Sequence, residues 1–511
     1  MRAGVIDIGS NSIKLTIGER QGDDIKVLES LKSVLPMGKY TFFKGSISQE
    51  IIKQTISLIQ KYQQTLKEYE VADLTVIATT AVREARNKDL FLDVVKRKTG
   101  LDIDVLNVGD VIYYIDSYLS QKLKKAYPIL EKNLVIAELG AGSFDISLMQ
   151  KGYTLMNVGF PIGTLRLKQF MQSLDGSGQE ILQALEEAVD HEFLYLKNLY
   201  PNLNVDDIIL IDENYSVYLQ NILPNKKRES NFFQLKASEA QELLEKLTEI
   251  NPDEIAATYK IPVEMANTIV GYTFILNGLF NLTKSKHIYI LETSLAEAIL
   301  ASMLSTSDVS TKKNKMNQLI SVANFLCQQY CLDIKHARHV ADLSETIFTS
   351  VKEQLGLTEN DLLYLILAAY LHDIGIFINN RAHHKHSEYI INGLNLFRLT
   401  EEEIKVIACI ARYHRRGAPS SDHPLYNSLD LQKKILVQKL SAILRIANAF
   451  DRSHKQKTKK LEVNLTSKEE IALNVHTTHN FLLEKAGFME NKNFFEEITG
   501  HKITLNIKQQ D

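Results

Sequence analysis

Gly4-Val5-Ile6-Asp7-Ile8-Gly9-Ser10-Asn11-Ser12 is the stretch that decides the reading of this chain. An apolar run ends in Asp7, a glycine follows at once, and three small polar residues precede Ile13, Leu15 and Ile17 at alternating positions. The pattern predicts strand, tight turn, strand: a hairpin rather than a strand-to-helix phosphate loop. Gly9 lets the backbone turn and approach a ligand closely. Ser10, Asn11 and Ser12 offer hydroxyl, amide and main-chain donors to an anion. Asp7, at the strand end, suits a metal ion or an oriented water. The layout recurs from Leu134 to Leu148, with Glu138 as the carboxylate and Gly140, Gly142 and Ser143 in the turn. A single Asp-x-Gly turn is ordinary structural punctuation. Two turns of matching polarity, half a domain apart, predict a duplicated fold gripping phosphates between its halves.

At 511 residues the chain exceeds one core and should hold several domains. A net charge of −3 argues against broad nucleic-acid binding and leaves room for a local basic groove. Met1-Arg2-Ala3-Gly4 leads straight into a strand, so no signal peptide is expected. No apolar run is expected to span a bilayer. Cys327, Cys331 and Cys409 show no zinc or redox spacing beyond one i,i+4 pair, which predicts buried thiols in a reducing cytoplasm.

Along the chain, periodicity predicts a helix over 51–69, a buried strand over 74–79 and a helix from Ala81 with Arg83 in its first turn. A strand running into a helix N-terminus at Thr79-Thr80 is an anion site, and Arg83 would add a bidentate contact. The plainer alternative is a capped helix with a surface arginine. Residues 103–106 read as a strand and 110–119 as a helix. Helices are expected at 177–199 and 237–249, a strand at 288–291, and a helix opening at Leu295. The polar, charged stretch Ser305 to Lys315 reads as a linker. Nearly all that follows, to about residue 450, reads as helix. His336 lies on one helix, His372-Asp373 ends the next, His383, His384 and His386 fall in the following loop, and His414 ends a later helix. Imidazole and carboxylate in this order suit a divalent metal that activates water. The tail alternates apolar and polar residues twice and reads as a small α/β cap. Basic residues from His454 to Lys460, with Arg412, Arg415 and Arg416, would line a polyanion channel, although a solvated basic linker is the simpler reading.

Asp7 to Ser12 matches, residue for residue, the Asp-Ile-Gly-Ser-Asn-Ser loop of the exopolyphosphatase / guanosine pentaphosphate phosphohydrolase (Ppx/GppA) family, which the chain resembles over its whole length. Thr79 to Asn87 resembles the family's Thr-Ser-Ala-x-Arg-x-Ala-x-Asn motif. Glu138 to Asp145 resembles, more loosely, its Asp-Ile-Gly-Gly-Gly-Ser-x-Glu. The family's Ser-Gly-x-Glu-Glu-Ala, laid without gaps on Asn107 to Ile112, puts Asp110 at the first Glu and Val111 at the second, the family's catalytic base. Gly163 lies in a stretch like the family's Pro-x-Gly-x-x-Arg-Leu turn, and Met265 stands where an arginine is usual.

The resemblance implies an α/β then mostly α chain: actin-like (ribonuclease H-like) lobes over 1–125 and 126–305, a linker over 306–315, a helical HD-like domain over 316–455 and a small α/β domain over 456–511. It implies a cytoplasmic homodimer that hydrolyses polyphosphate or guanosine pentaphosphate with Mg2+ or another divalent cation, with no broad nucleic-acid or membrane binding. Gly9, Ser10, Asn11, Ser12, Arg83, Gly140, Gly142 and Ser143 are the expected phosphate contacts. Asp7 and Glu138 are the expected metal ligands, and Asp110, Glu138 and Asp145 are the candidates for orienting water. His336, His372 and Asp373 form an HD-like site whose usual closing Asp is Asn448, which predicts a weak or vestigial centre; Asp451 lies one turn away. The alternatives are a catalytically degenerate binder of polyphosphate or an alarmone, favoured by Val111, and metal-dependent hydrolysis in the HD-like domain.

Overall fold

The structure, a computed structural model, describes residues 2–22, 24–123, 127–200, 203, 205–212, 215–224, 226, 232–305, 308–394, 396, 399–415, 417–467 and 469–509. Arg416 of the expected basic channel and Thr306-Ser307 of the expected linker lie outside them. The chain divides into two compact units, Met1–Asp308 and Val309–Asp511.

The first unit contains the same sheet twice. β1 (Arg2–Ile8), β2 (Ser12–Gln21), β3 (Asp24–Val34), β4 (Asp73–Ala78) and β5 (Asp104–Val105) order as β3-β2-β1-β4-β5. β6 (Asn133–Leu139), β7 (Phe144–Gln150), β8 (Tyr153–Phe160), β9 (Asp207–Asp212), β10 (Phe232–Lys236) and β11 (His287–Leu291) order as β10-β11-β9-β6-β7-β8. In each sheet three antiparallel strands (β1–β3 and β6–β8) lead into parallel ones. β1, β6 and β9 are buried along nearly all their length. That is why they read as apolar runs rather than alternating ones. One apolar cluster joins the sheets: Val5 and Ile77 from the first, Ile136 and Ile209 from the second, with Val111 and Ile115 of the helix Val108–Lys122 and Ile299 of the helix Leu295–Leu304 between them. The carboxyl ends of β1, β4, β6 and β9 therefore face one crevice, the usual place for a ligand in open α/β sheets.

Most expected elements form within a residue or two. The helix expected from Ala81 is a single turn, Thr80–Arg83, ending where Glu84 and the following loop turn away before Lys88–Thr99. A helix at Met37–Lys44, opened by Pro36 and closed by left-handed Gly45, was not expected from periodicity. The stretch taken for a linker is helical from Asp308, continuing to Gln329; no proline or glycine interrupts it.

In the second unit the helices Ile334–Val351, Glu359–Leu371, Glu401–Arg412 and Leu431–Ala449 pack together. The histidines expected in a loop open a helix instead, His383–Asn392, because Ser387 and Ile391 continue the buried face begun by His383. Glu359–Phe377 is, against expectation, long and apolar enough to cross a membrane, but 67% of it is buried inside the unit, as befits a core helix. The tail forms β12 (Lys460–Ser467), β13 (Glu470–Thr477), the helix Leu482–Thr499 and β14 (Lys502–Gln509), a three-stranded sheet with β14 parallel to β13.

Candidate active site

The two glycine turns are built alike. Gly9 N–H donates to Ser12 O at 3.0 Å, and Gly140 N–H donates to Ser143 O at 3.0 Å. Each turn is then pinned from behind by the start of a helix. Gly38 N–H donates to Ser10 O (2.7 Å), while Thr164 and Leu165 N–H donate to Gly140 O (3.2 Å) and Ala141 O (3.0 Å). These are helix amides without intrahelical partners. Tying the turn carbonyls backward leaves the turn amides facing forward. Among the described residues, the N–H groups of Ser10, Asn11, Ala141 and Gly142 make no backbone hydrogen bond. Successive free amides in a tight turn form an anion cradle.

The turns meet. A Cβ on Gly142 would lie 2.4 Å from Ser10 Oγ and 2.6 Å from the Phe42 ring. Thr80 and Ser143 share a hydroxyl hydrogen bond of 2.8 Å across the halves. Arg166 donates to Gly142 O and to Glu84, and its guanidinium stacks 3.7 Å from the centre of the Phe42 ring. Between the turns lies a cavity of about 60 Å³, lined by Asp7, Gly9, Ser10, Glu138, Ser143 and Asp145 among others.

Register explains the carboxylates. Asp7 pairs with Lys14 across the first hairpin and Glu138 with Asp145 across the second. The duplication thus sets four charged side chains around the cavity, three acidic and one basic. Asp145 is 1% exposed. Ser143 donates to its Oδ2 at 3.4 Å, and its Oδ1 has no hydrogen bond. Burial pushes the Asp145 carboxyl up to about 7, against the pull of Arg83 and the Ser143 hydroxyl. Its protonation therefore changes near neutrality.

Of the residues expected from sequence, the cavity gathers Asp7, Gly9, Ser10, Glu138, Gly140, Gly142, Ser143 and Asp145. Asn11, Ser12, Arg83 and Asp110 do not line it. The Arg83 guanidinium donates to Leu106 O (2.7 Å) and to Thr80 Oγ1 (3.3 Å), which holds the Thr80–Ser143 link. Asp110 closes a capping box: its amide donates to Asn107 Oδ1 and its carboxylate accepts from Asn107 N–H. Val111 does line the cavity and is 2% exposed, its other side packed in the cluster between the sheets.

Sequence reasoning missed Lys14, Asp212 and Thr293. Asp212 ends β9 as Asp7 nearly ends β1. It accepts from Tyr272 OH (2.9 Å) and Ser216 N–H (3.2 Å). An apolar strand closing on a carboxylate, Ile208-Ile209-Leu210-Ile211-Asp212, carries the same signal as the two hairpins. In the second unit His336, His372 and Asp373 come together, joined by His383 and His414.

The sequence model of the Ppx/GppA phosphatase family matches residues 5–307, and that of Ppx/GppA phosphatase domain III matches 319–491. A guanosine-5'-triphosphate,3'-diphosphate pyrophosphatase of Pseudoalteromonas translucida is 23% identical over 460 residues, 87% of this chain and 86% of that protein. Exopolyphosphatase 1 of Mycobacterium leprae is 27% identical over 194 residues, 38% of this chain and 56% of that protein. Among solved structures, an exopolyphosphatase from Cytophaga hutchinsonii superposes with a TM-score of 0.53 at 22% identity, covering 60% of this chain and 98% of that one. The Aquifex aeolicus Ppx/GppA family member gives 0.51 at 21%, over 60% and 97%. The N-terminal unit thus has their two-lobed actin-like fold, and the chain belongs to the Ppx/GppA phosphatase family.

Proposed function

We propose that the crevice between the two hairpins hydrolyses phosphoanhydride bonds, releasing terminal phosphate from inorganic polyphosphate or guanosine pentaphosphate. One observation carries the reading: two glycine turns in contact, their amides without backbone partners, and four carboxylates lining a single cavity. A terminal phosphoryl group is multiply charged. The amides at Ser10, Ala141 and Gly142 hold its oxygens without needing to reorganise as charge develops, which is how such donors lower a barrier. Arg83 acts behind them, fixing Thr80 and lowering Asp145. Asp145, whose carboxyl lines the cavity, orients the attacking water. The water oxygen bonds to phosphorus, the bridging P–O bond breaks, and the water's proton passes to Asp145. General-base help of this kind contributes about 10²–10⁴-fold.

Asp7, Glu138 and Asp145 line one cavity and offer the hard oxygens that an ion such as Mg2+ takes; they do not form a three-carboxylate cluster, so the ion would rest on one or two of them together with the substrate's phosphate oxygens. Such an ion, when bound, neutralises charge on the bridging and leaving oxygens.

A second reading, a polyphosphate or alarmone binder with little turnover, is favoured by Val111, which presents hydrocarbon where the family's motif has Glu. Phosphate release from long-chain polyphosphate and from guanosine pentaphosphate, with and without Mg2+, separates the two. Hydrolysis predicts Mg2+-dependent release that collapses in Glu138→Gln. Tight binding with no release supports the binder.

A further inference from the structure

The second glycine turn is held by three successive ties, and the third differs in kind. Gly140 O accepts from Thr164 N–H at 3.2 Å, and Ala141 O accepts from Leu165 N–H at 3.0 Å. Gly142 O accepts next, from Arg166 Nε–H. Three consecutive carbonyls thus meet three consecutive residues at the start of the helix Thr164–Ser173. The first two donors are main chain. The third is a side chain, so it is the tie that a substitution can remove. In the first turn Ser10 O and Asn11 O both accept from main chain, at Gly38 and Leu35.

The third tie has a direction. In a planar trans peptide the carbonyl and the following N–H point opposite ways. Drawing Gly142 O backward therefore turns the Ser143 N–H forward. Ser143 lines the cavity, and its N–H makes no backbone hydrogen bond. It follows Ala141 and Gly142 as the third successive amide of the second anion cradle.

The guanidinium is itself fixed from the opposite half of the unit. Its Nη2 donates to Glu84 Oε2, and its carbon lies 3.7 Å from the centre of the Phe42 ring. Glu84 ends the single turn Thr80–Arg83, with its N–H on Thr80 O at 3.0 Å. Phe42 belongs to the helix Met37–Lys44, whose Gly38 ties the first turn. Arg83 and Glu84 therefore reach adjacent residues of the second turn. Arg83 does so through Thr80 Oγ1 to Ser143 Oγ, and Glu84 through Arg166 to Gly142 O. The position needs a planar fork that donates at fixed angles and a face that stacks, and an ammonium offers neither. Arg166 does not line the cavity. It acts through the turn.

We propose that Arg166 is a positioning residue for phosphate release: braced by Glu84 and Phe42, it holds the Gly142–Ser143 peptide so that Ser143 N–H meets a phosphoryl oxygen as charge builds there. The inference rests on the crevice between the hairpins as the site of that reaction. A donor of this kind lowers a barrier by being already in place. The incoming phosphate keeps the amides of Ser10, Ala141 and Gly142, so binding persists when the Ser143 amide is misaimed, and the loss falls on kcat. The Glu84 and Arg166 side chains are 40% and 19% exposed, and pairs of that kind contribute little to stability. Their variants are therefore expected to fold.

The test measures kcat and KM for phosphate release from polyphosphate in Mg2+ by the full chain. Arg166→Ala should lower kcat about 10²-fold, as for the loss of one such donor, with KM unchanged. Arg166→Lys should remain as slow, because the charge returns without the fork. Methylguanidinium should restore part of the rate of Arg166→Ala and leave wild type as it was. Glu84→Ala should lower kcat about tenfold, within the range of coupling between contacting residues, and should not lower it further in the Arg166→Ala background. Wild-type kcat in Arg166→Ala, full activity in Arg166→Lys, a raised KM with kcat unchanged, or no rescue by methylguanidinium would each overturn the proposal. Should Arg166→Ala fail to fold by circular dichroism, Glu84→Ala decides, and an unchanged kcat there overturns it. Absence of release by wild type is a different result: it removes the reading of the crevice itself, and this inference with it.

Discussion

Gly163 is a glycine for space and not for conformation. It precedes the helix Thr164–Ser173 with φ −128° and ψ 165°, an extended backbone open to any residue. A Cβ built there would stand 2.3 Å from Ala141 O, 2.5 Å from Ala141 C and 2.6 Å from Gly142 N. All three atoms are backbone, so no side chain can swing aside. For Gly163→Ala the Cβ–O distance must open from 2.3 Å to at least 3.0 Å, and the glycine turn that carries the second set of amides must move with it. Overpacking of this kind costs about 1–3 kcal/mol, a fall of several degrees in melting temperature. The larger effect is on rate. Misplacing reacting groups by about 1 Å costs on the order of 10²-fold, so kcat for phosphate release should drop about a hundredfold in a protein that still folds. Gly178→Ala is the control: nothing lies within 4 Å of that Cβ, so kcat should not change. An unchanged kcat in Gly163→Ala would refute the claim that the Ala141–Gly142 backbone binds the reacting phosphate.

Further expectations concern charge and capping. If Asp145 orients the water as its anion, activity rises with pH through about 7; Arg83→Gln removes a favourable charge and shifts this limb of the pH–rate profile upward. Asp116 is fully buried, hydrogen-bonded by Ser147, with its carboxyl pushed up from 3.8 to about 8 by burial. The folded state therefore holds a proton that the unfolded state releases. The stability this gives is complete below pH 4 and lost as pH rises towards 8, by up to about 1.4 kcal/mol per unit; denaturant titration across that range should show the slope, reduced in Asp116→Asn. Asp110→Ala opens the capping box of Val108–Lys122 and should lower stability by about 0.5–2 kcal/mol while leaving the pH–rate limb of Asp145 in place; loss of that limb would make Asp110 the titrating group instead.

The hairpins were legible because their signal is local: strand, carboxylate, glycine and small residues within a dozen positions. That they face one another across a pocket was legible too, from the repeat; the detail of their contact was not. It follows from the repeated strand order, which no short window contains, and so the pairing of Asp7 with Lys14 and the arrival of Asp212 beside them stayed hidden. Asp110 looked like a displaced base because its sequence neighbour held the motif position. Its geometry is that of a helix N-terminus, three residues after Asn107. The helix at His383 escaped notice because its N-cap, Ala382, takes a left-handed conformation (φ 59°) that alanine seldom adopts, so no capping residue marked the start. Val111 is legible only in three dimensions: it serves the cluster between the sheets and the wall of the cavity at once.

The most direct measurement is phosphate release from polyphosphate in Mg2+ by wild type and by Asp145→Asn, which keeps the shape and hydrogen-bonding size of the side chain but cannot take a proton. The account predicts steady release by wild type and a fall of about 10²–10⁴-fold in the variant, with polyphosphate still bound. Equal rates in the two proteins would contradict it.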